Sequence, residues 1–121
     1  MENINLEYTD IFDDNKVKKL SFSKHLISKE FKEESLFALL VDGESMQPVI
    51  NDRAVIVTDI SQKELVEDAI YIVYHENKMW VKKYNINSNT FISINPDFSH
   101  LVYKKENTHI VGRVLLTFTN L

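Results

Sequence analysis

The sequence predicts one mostly-β domain, a small, bent, barrel-like sheet with short helical turns. Two observations carry that expectation. Apolar or β-branched runs recur from Leu36 onward, at 36–41, 54–58, 69–74, 78–84, 90–94 and 109–118. Turn-forming clusters separate them: Asn51-Asp52, His75-Glu76-Asn77, Asn85 to Asn89, and Asn95-Pro96-Asp97. Short strands with tight connections favour a strongly bent sheet over a helical layer. A length of 121 residues fits a single domain with a buried core.

Taken in order, residues 1–20 are polar and weakly patterned and read as an arm or linker, which leaves 21–121 as the folded domain. Ser23 is placed to cap one helical turn over Ser23–Ile27. The run Leu36–Val41 leads into VDGESMQPVI, which holds one of the two glycines and one of the two prolines. Ser61-Gln62-Lys63-Glu64 has the spacing of a capping box and predicts a further helical turn. The remaining runs alternate with the turn clusters as strands.

Composition excludes several function classes. Hydrophobic residues are 44% and charged residues 26%, ordinary for a globular domain. The longest apolar run, 36–41, falls far short of the roughly 18 residues a bilayer span needs, so no membrane partner is expected. The opening Met1-Glu2-Asn3-Ile4-Asn5 is polar and acidic rather than a signal peptide, which predicts a cytoplasmic location. With no cysteine there is no disulfide or thiolate chemistry. A net charge of −4 argues against this chain gripping nucleic acid by itself. The basic clusters Lys16 to Lys19 and Lys104-Lys105 lie beside Asp13, Asp14 and Glu106 and read as solvated surface.

Neither a metal nor a cofactor is expected. The four histidines are scattered, and His75-Glu76 lacks a second histidine at the helical offset of a zinc-peptidase motif. Nucleophilic chemistry is the better fit. Gly43 frees the backbone and Pro48 stiffens it on either side of Ser45, an arrangement that aims one hydroxyl. A serine needs a base, and a lysine among apolar groups gives up its proton more readily. Lys78-Met-Trp-Val-Lys-Lys-Tyr84 offers two: Lys82 shares a strand face with Trp80 and Tyr84, and Lys83 shares the other with Met79 and Val81. Periodicity does not choose between them. A turn serine and a solubilising edge-strand lysine are the bland alternatives.

Val41-Asp-Gly-Glu-Ser-Met-Gln-Pro48 resembles the nucleophile motif V-x-G-D/E-S-M-x-P of the LexA and phage-repressor family of self-cleaving serine peptidases. Ile70 to Val73 followed by Trp80-Val-Lys-Lys-Tyr84 resembles the segment that carries the family's general base, and the base position falls on Lys82. Ile94-Asn95-Pro96 and Ile110-Val-Gly-Arg-Val114 resemble two further family elements. The resemblance covers residues 36–118 and, more weakly, Ser21 to Lys24. It implies a LexA-like peptidase fold, a Ser45–Lys82 dyad, and self-cleavage that switches off repression in an SOS or prophage circuit. It also implies a homodimer through the last strands, at Val114–Phe118, and a RecA-like recombinase filament as co-protease. DNA would be bound only through a helix-turn-helix domain that this chain does not contain.

Three departures accompany the likeness. The family's D-G-D is Asp52-Arg53-Ala54 here, so Arg53 must take up the backbone of a glycine. No Ala-Gly or Cys-Gly bond is present for self-cleavage, and the corresponding stretch, Tyr8 to Asp14, is rich in carboxylates. The third is the missing helix-turn-helix. The chain is therefore read as the C-terminal domain of a repressor, with a stand-alone UmuD-like protein or a non-cleaving dimerisation module as the alternatives.

Overall fold

The computed structural model describes residues 2–28 and 30–120; Met1, Lys29 and Leu121 lie outside that description. Among the described residues nine strands follow in chain order: β1 (Asn3–Asp10), β2 (Lys16–Ser23), β3 (Leu36–Leu40), β4 (Val55–Asp59), β5 (Ile70–His75), β6 (Lys78–Asn85), β7 (Thr90–Ile92), β8 (Tyr103–Lys104) and β9 (His109–Phe118). Strands β3 to β9 form one antiparallel sheet in the order β3-β4-β9-β5-β6-β7-β8, and β1 and β2 pair with each other. The larger sheet is open, with β3 and β8 at its edges. The fold is mostly β, as the runs predict, but the sheet does not close into a barrel.

Residues 3–23, expected as an arm or linker over most of their length, form a hairpin instead. The physical reason is a period of two hidden by flanking charges. Ile4 stands opposite Phe22 and Leu6 opposite Leu20, so one face of the hairpin is apolar. That face packs on Ile27, Leu36, Val57 and Leu116, and the Phe22 and Phe118 rings sit 5.5 Å apart. Ser23 caps a short 3-10 turn at Lys24–Leu26, its hydroxyl accepting from the His25 amide at 3.2 Å.

The turn expected at Ser61–Glu64 does not form a helix. Asp59 takes the Ser61 amide at 2.9 Å, the donor that Glu64 would accept from in a capping box, and holds the Ser61 hydroxyl at 2.6 Å. Between β5 and β6, Glu76 and Asn77 both have positive φ (51° and 65°), which makes the two-residue mirror turn that suits a twisted hairpin. Gly112 on β9 is required by a close approach, because a Cβ there would lie 2.5 Å from the Asp59 carbonyl oxygen. The core is centred on β4 and β5, where Ile56, Val57, Ile72 and Val73 are fully sealed. Each such side chain contributes roughly 1.5–3 kcal/mol on leaving water.

Candidate active site

The loop between β3 and β4 carries Ser45 and is pinned at its base. Val41 donates to the Ala54 carbonyl at 2.8 Å, Arg53 donates to the Val41 carbonyl at 2.9 Å, and the Asp52 carboxylate accepts from the Gly43 amide at 2.8 Å. Gly43 adopts φ 125°, a conformation that side chains rarely take. Arg53 has φ 67°, the left-handed backbone expected of it where the family carries a glycine. Farther along, Met46 and Ile50 drop into the core with Val41, Ala54, Ile56 and Ile72. The Glu44 carbonyl accepts from Gln47 at 3.1 Å, closing a tight turn over the serine, and the Met46 carbonyl accepts from Val49 and Ile50 in the turn that follows. Ser45 itself is half-buried.

A cleft of about 440 Å³ opens in front of Ser45, lined by Leu39, Ile72, Trp80, Phe98 and Leu101 among others. A larger depression of about 860 Å³ lies elsewhere, around Lys24 to Ser35. Among the described residues it holds no candidate nucleophile beside a buried base, so the smaller cleft is the candidate site.

Lys82 on β6 is fully buried. Its ammonium donates to Ser93 Oγ at 2.6 Å and to the Leu101 carbonyl at 3.2 Å. The rings of Trp80 and Tyr103 lie 5.5 and 5.2 Å from Nζ, and Tyr103 is backed by the His75 imidazole stacked at 4.2 Å. Aromatic faces favour the ammonium. Loss of water opposes it and wins: burial lowers the Lys82 value from 10.5 to about 8. Burial, and then the nearby Glu76 carboxylate, raise the Tyr103 phenol above its ordinary value. Lys83, left level with Lys82 by periodicity, points the other way and pairs with the exposed Asp68 carboxylate at 3.2 Å.

One segment connects the surroundings of the two candidate residues. Leu101 lines the Ser45 cleft with its side chain and holds Lys82 with its carbonyl. The Asn95 amide donates to the Ser45 carbonyl at 2.9 Å, and the Asn95 side chain donates to the Glu44 carbonyl at 3.0 Å. The segment 93–101 therefore touches both the serine loop and the lysine. Ser45 Oγ is not among the hydrogen-bond partners of Lys82; Ser93 Oγ occupies that place. Ser93 and the Leu101 carbonyl escaped the sequence reading. The one signal for Ser93 is its place immediately before Ile94-Asn95-Pro96, which resembles a family element.

Comparison with known proteins agrees with this architecture. The Peptidase S24-like family matches residues 3–115, which includes the hairpin, the Ser45 loop and β6. A relative in Haemophilus influenzae, described as an uncharacterized HTH-type transcriptional regulator, is 30% identical over 96 residues. The match takes in 74% of this chain and 40% of that protein, so the chain spans well under half of its relative's length. On the strength of a match over nearly its whole length, the chain belongs to the Peptidase S24-like family.

Proposed function

We propose that this is the peptidase domain of a LexA-like transcriptional regulator, with Ser45 as nucleophile and Lys82 as general base acting on the regulator's own chain. The observation that carries the reading is a lysine sealed from water beside an apolar cleft that a loop serine lines. A base lowered to about 8 is substantially neutral in mildly alkaline solution. Two acceptors, Ser93 Oγ and the Leu101 carbonyl, fix two tetrahedral positions on Nζ and leave a third for the Ser45 hydroxyl.

In the reaction, neutral Lys82 takes the Ser45 proton as Oγ bonds to a peptide carbonyl carbon. The oxyanion is held by the amides of Ser45 and Met46, which donate to no protein group among the described residues. The protonated lysine then gives its proton to the leaving amine as the C–N bond breaks. Water, deprotonated by the same lysine, hydrolyses the ester and restores Ser45.

The relative's regulator name and its greater length support a place beside a helix-turn-helix domain. A homodimer belongs to the same proposal. Residues 113–118 of β9 pair with β4 on one side, while β5 reaches β9 only as far as Arg113, so among the described residues the other edge of Val114–Phe118 has no strand partner and fits a second copy's strand. A recombinase filament as trigger follows from the resemblance. A non-cleaving dimerisation module is the second reading, favoured by the lack of an Ala-Gly or Cys-Gly bond.

Intact-mass spectrometry at alkaline pH separates the two. A defined cut is expected in the natural chain at a rate that rises through about pH 8. Ser45→Ala and Lys82→Ala are each expected to reduce that rate by about 10³-fold or more. An unchanged mass in all three leaves the dimerisation module.

A further inference from the structure

The turn that joins β1 to β2 runs to the mouth of the Ser45 cleft. Ile11, half exposed, contributes to the lining of that cleft together with Leu39 and Trp80. The turn is closed on itself. Asp10 accepts from the Phe12 amide at 3.0 Å through its side chain and from the Asp13 amide at 3.1 Å through its carbonyl. The Lys18 ammonium bridges the Asp10 and Asp13 carboxylates at 2.7 and 3.0 Å. A turn tied this way offers the cleft a side chain rather than an extended peptide bond.

One contact joins the turn to the serine loop. The Arg53 guanidinium lies over the Phe12 ring, 4.1 Å from its centroid. Arg53 holds a left-handed backbone to stand there, where glycine would cost less. An arginine at that position is explained by what its side chain reaches.

We propose that the apolar end of the Ser45 cleft is a binding pocket for a branched aliphatic peptide side chain, and that Ile11 is its resident ligand, seated by Arg53 stacked on Phe12. This rests on reading the cleft as a peptide site and adds the class of side chain it takes. Arg53 is a positioning residue: it touches neither Ser45 nor Lys82 and acts through Phe12. A peptide reaching Ser45 must first displace Ile11.

Trp80 is the chain's one tryptophan and lines the same cleft, so its fluorescence reports occupancy without any cleavage. The measurement is acrylamide quenching in the Ser45→Ala protein, with circular dichroism to verify the fold. Ile11→Ser is expected to raise the quenching constant. Arg53→Ala and Phe12→Ala each shift the ratio of seated to unseated turn by about two- to five-fold, the range of an exposed cation–π contact, and the double variant shifts it no further than either single one. Acetyl-Ala-Ile-Ala-amide returns Ile11→Ser to the parent's quenching, and acetyl-Ala-Asp-Ala-amide does not.

An unchanged constant in Ile11→Ser overturns the pocket assignment. A raised constant there with no change in Arg53→Ala overturns the role of Arg53. Restoration by both peptides alike overturns the aliphatic preference. None of these readings depends on whether Ser45 cuts, so a peptidase that fails to cleave leaves the test intact.

Discussion

Asp59 and Lys82 are both charged residues with no exposure at all, and the chain treats them in opposite ways. Asp59 ends β4 among donors: the Ser61 amide at 2.9 Å, the Ser61 hydroxyl at 2.6 Å and the Gln62 side-chain amide at 3.0 Å. Three donors on two oxygens replace the water the carboxylate gave up. Lys82 receives two acceptors and is otherwise walled by aromatic rings. The protein satisfies one charge and starves the other. Full compensation makes a corner post between β4 and the loop after it; partial compensation makes an amine that releases its proton within reach of neutral pH.

Removing the satisfied charge should produce the larger change. Asp59→Ala removes three hydrogen bonds to a carboxylate at once, from the Ser61 amide, the Ser61 hydroxyl and the Gln62 side-chain amide, and is expected to cost about 3 kcal/mol in urea unfolding. Lys82→Met should move the other way, stabilising the fold by about 1–3 kcal/mol at pH 7, because a buried ammonium gives place to an apolar chain of similar length.

The sign of the pH effect follows from the lowered value. Between about 8 and 10.5 the native protein holds fewer protons at Lys82 than the unfolded chain. The natural protein therefore gains stability as pH rises through that window, and below it the full cost of burial remains. Lys82→Met has no such gain, so the difference in urea midpoints should narrow from pH 7 to pH 10. A gap that stays constant would mean Lys82 is not held below its ordinary value.

The smallest stability effect is expected for Ser93→Ala, about 1 kcal/mol or less. Its larger consequence is electrostatic. The ammonium loses an acceptor at 2.6 Å, which disfavours the charged form and lowers the Lys82 value further. An NMR titration of the Lys82 side chain in both proteins checks this, and a rise in place of a fall would show Ser93 acting as a donor to the neutral amine.

The strands from Leu36 onward, apart from the two-residue β8, are legible because each buries a run of apolar residues between turn formers; His109–Phe118 has the expected boundaries, whereas Tyr103–Lys104 is too short and too exposed to show a run. The hairpin was missed for a local reason. Ile4, Leu6, Leu20 and Phe22 alternate with polar or charged residues, so mean polarity concealed a clean period of two. The Ser61–Glu64 turn was misread because a capping pattern says nothing of a competing acceptor two residues upstream. At the site, the residues were legible and their environment was not. Strand parity left Lys82 and Lys83 level, and what separates them is non-local: Ser93, Leu101 and Tyr103 all come from chain that follows β6.

The sheet order carries a consequence for how the protein is made. β9 lies between β4 and β5, so the strand that joins the serine-bearing half to the lysine-bearing half of the sheet is the last of the nine to be synthesised. As the chain leaves the ribosome, β3–β4 and β5–β6 can each pair locally, but they share no ladder until residues 109–118 thread between them. Ser45 and Lys82 thus sit on pieces that share no ladder for most of synthesis. Before β9 arrives, the link between them is the segment 93–101, which bonds to the serine loop and to Lys82.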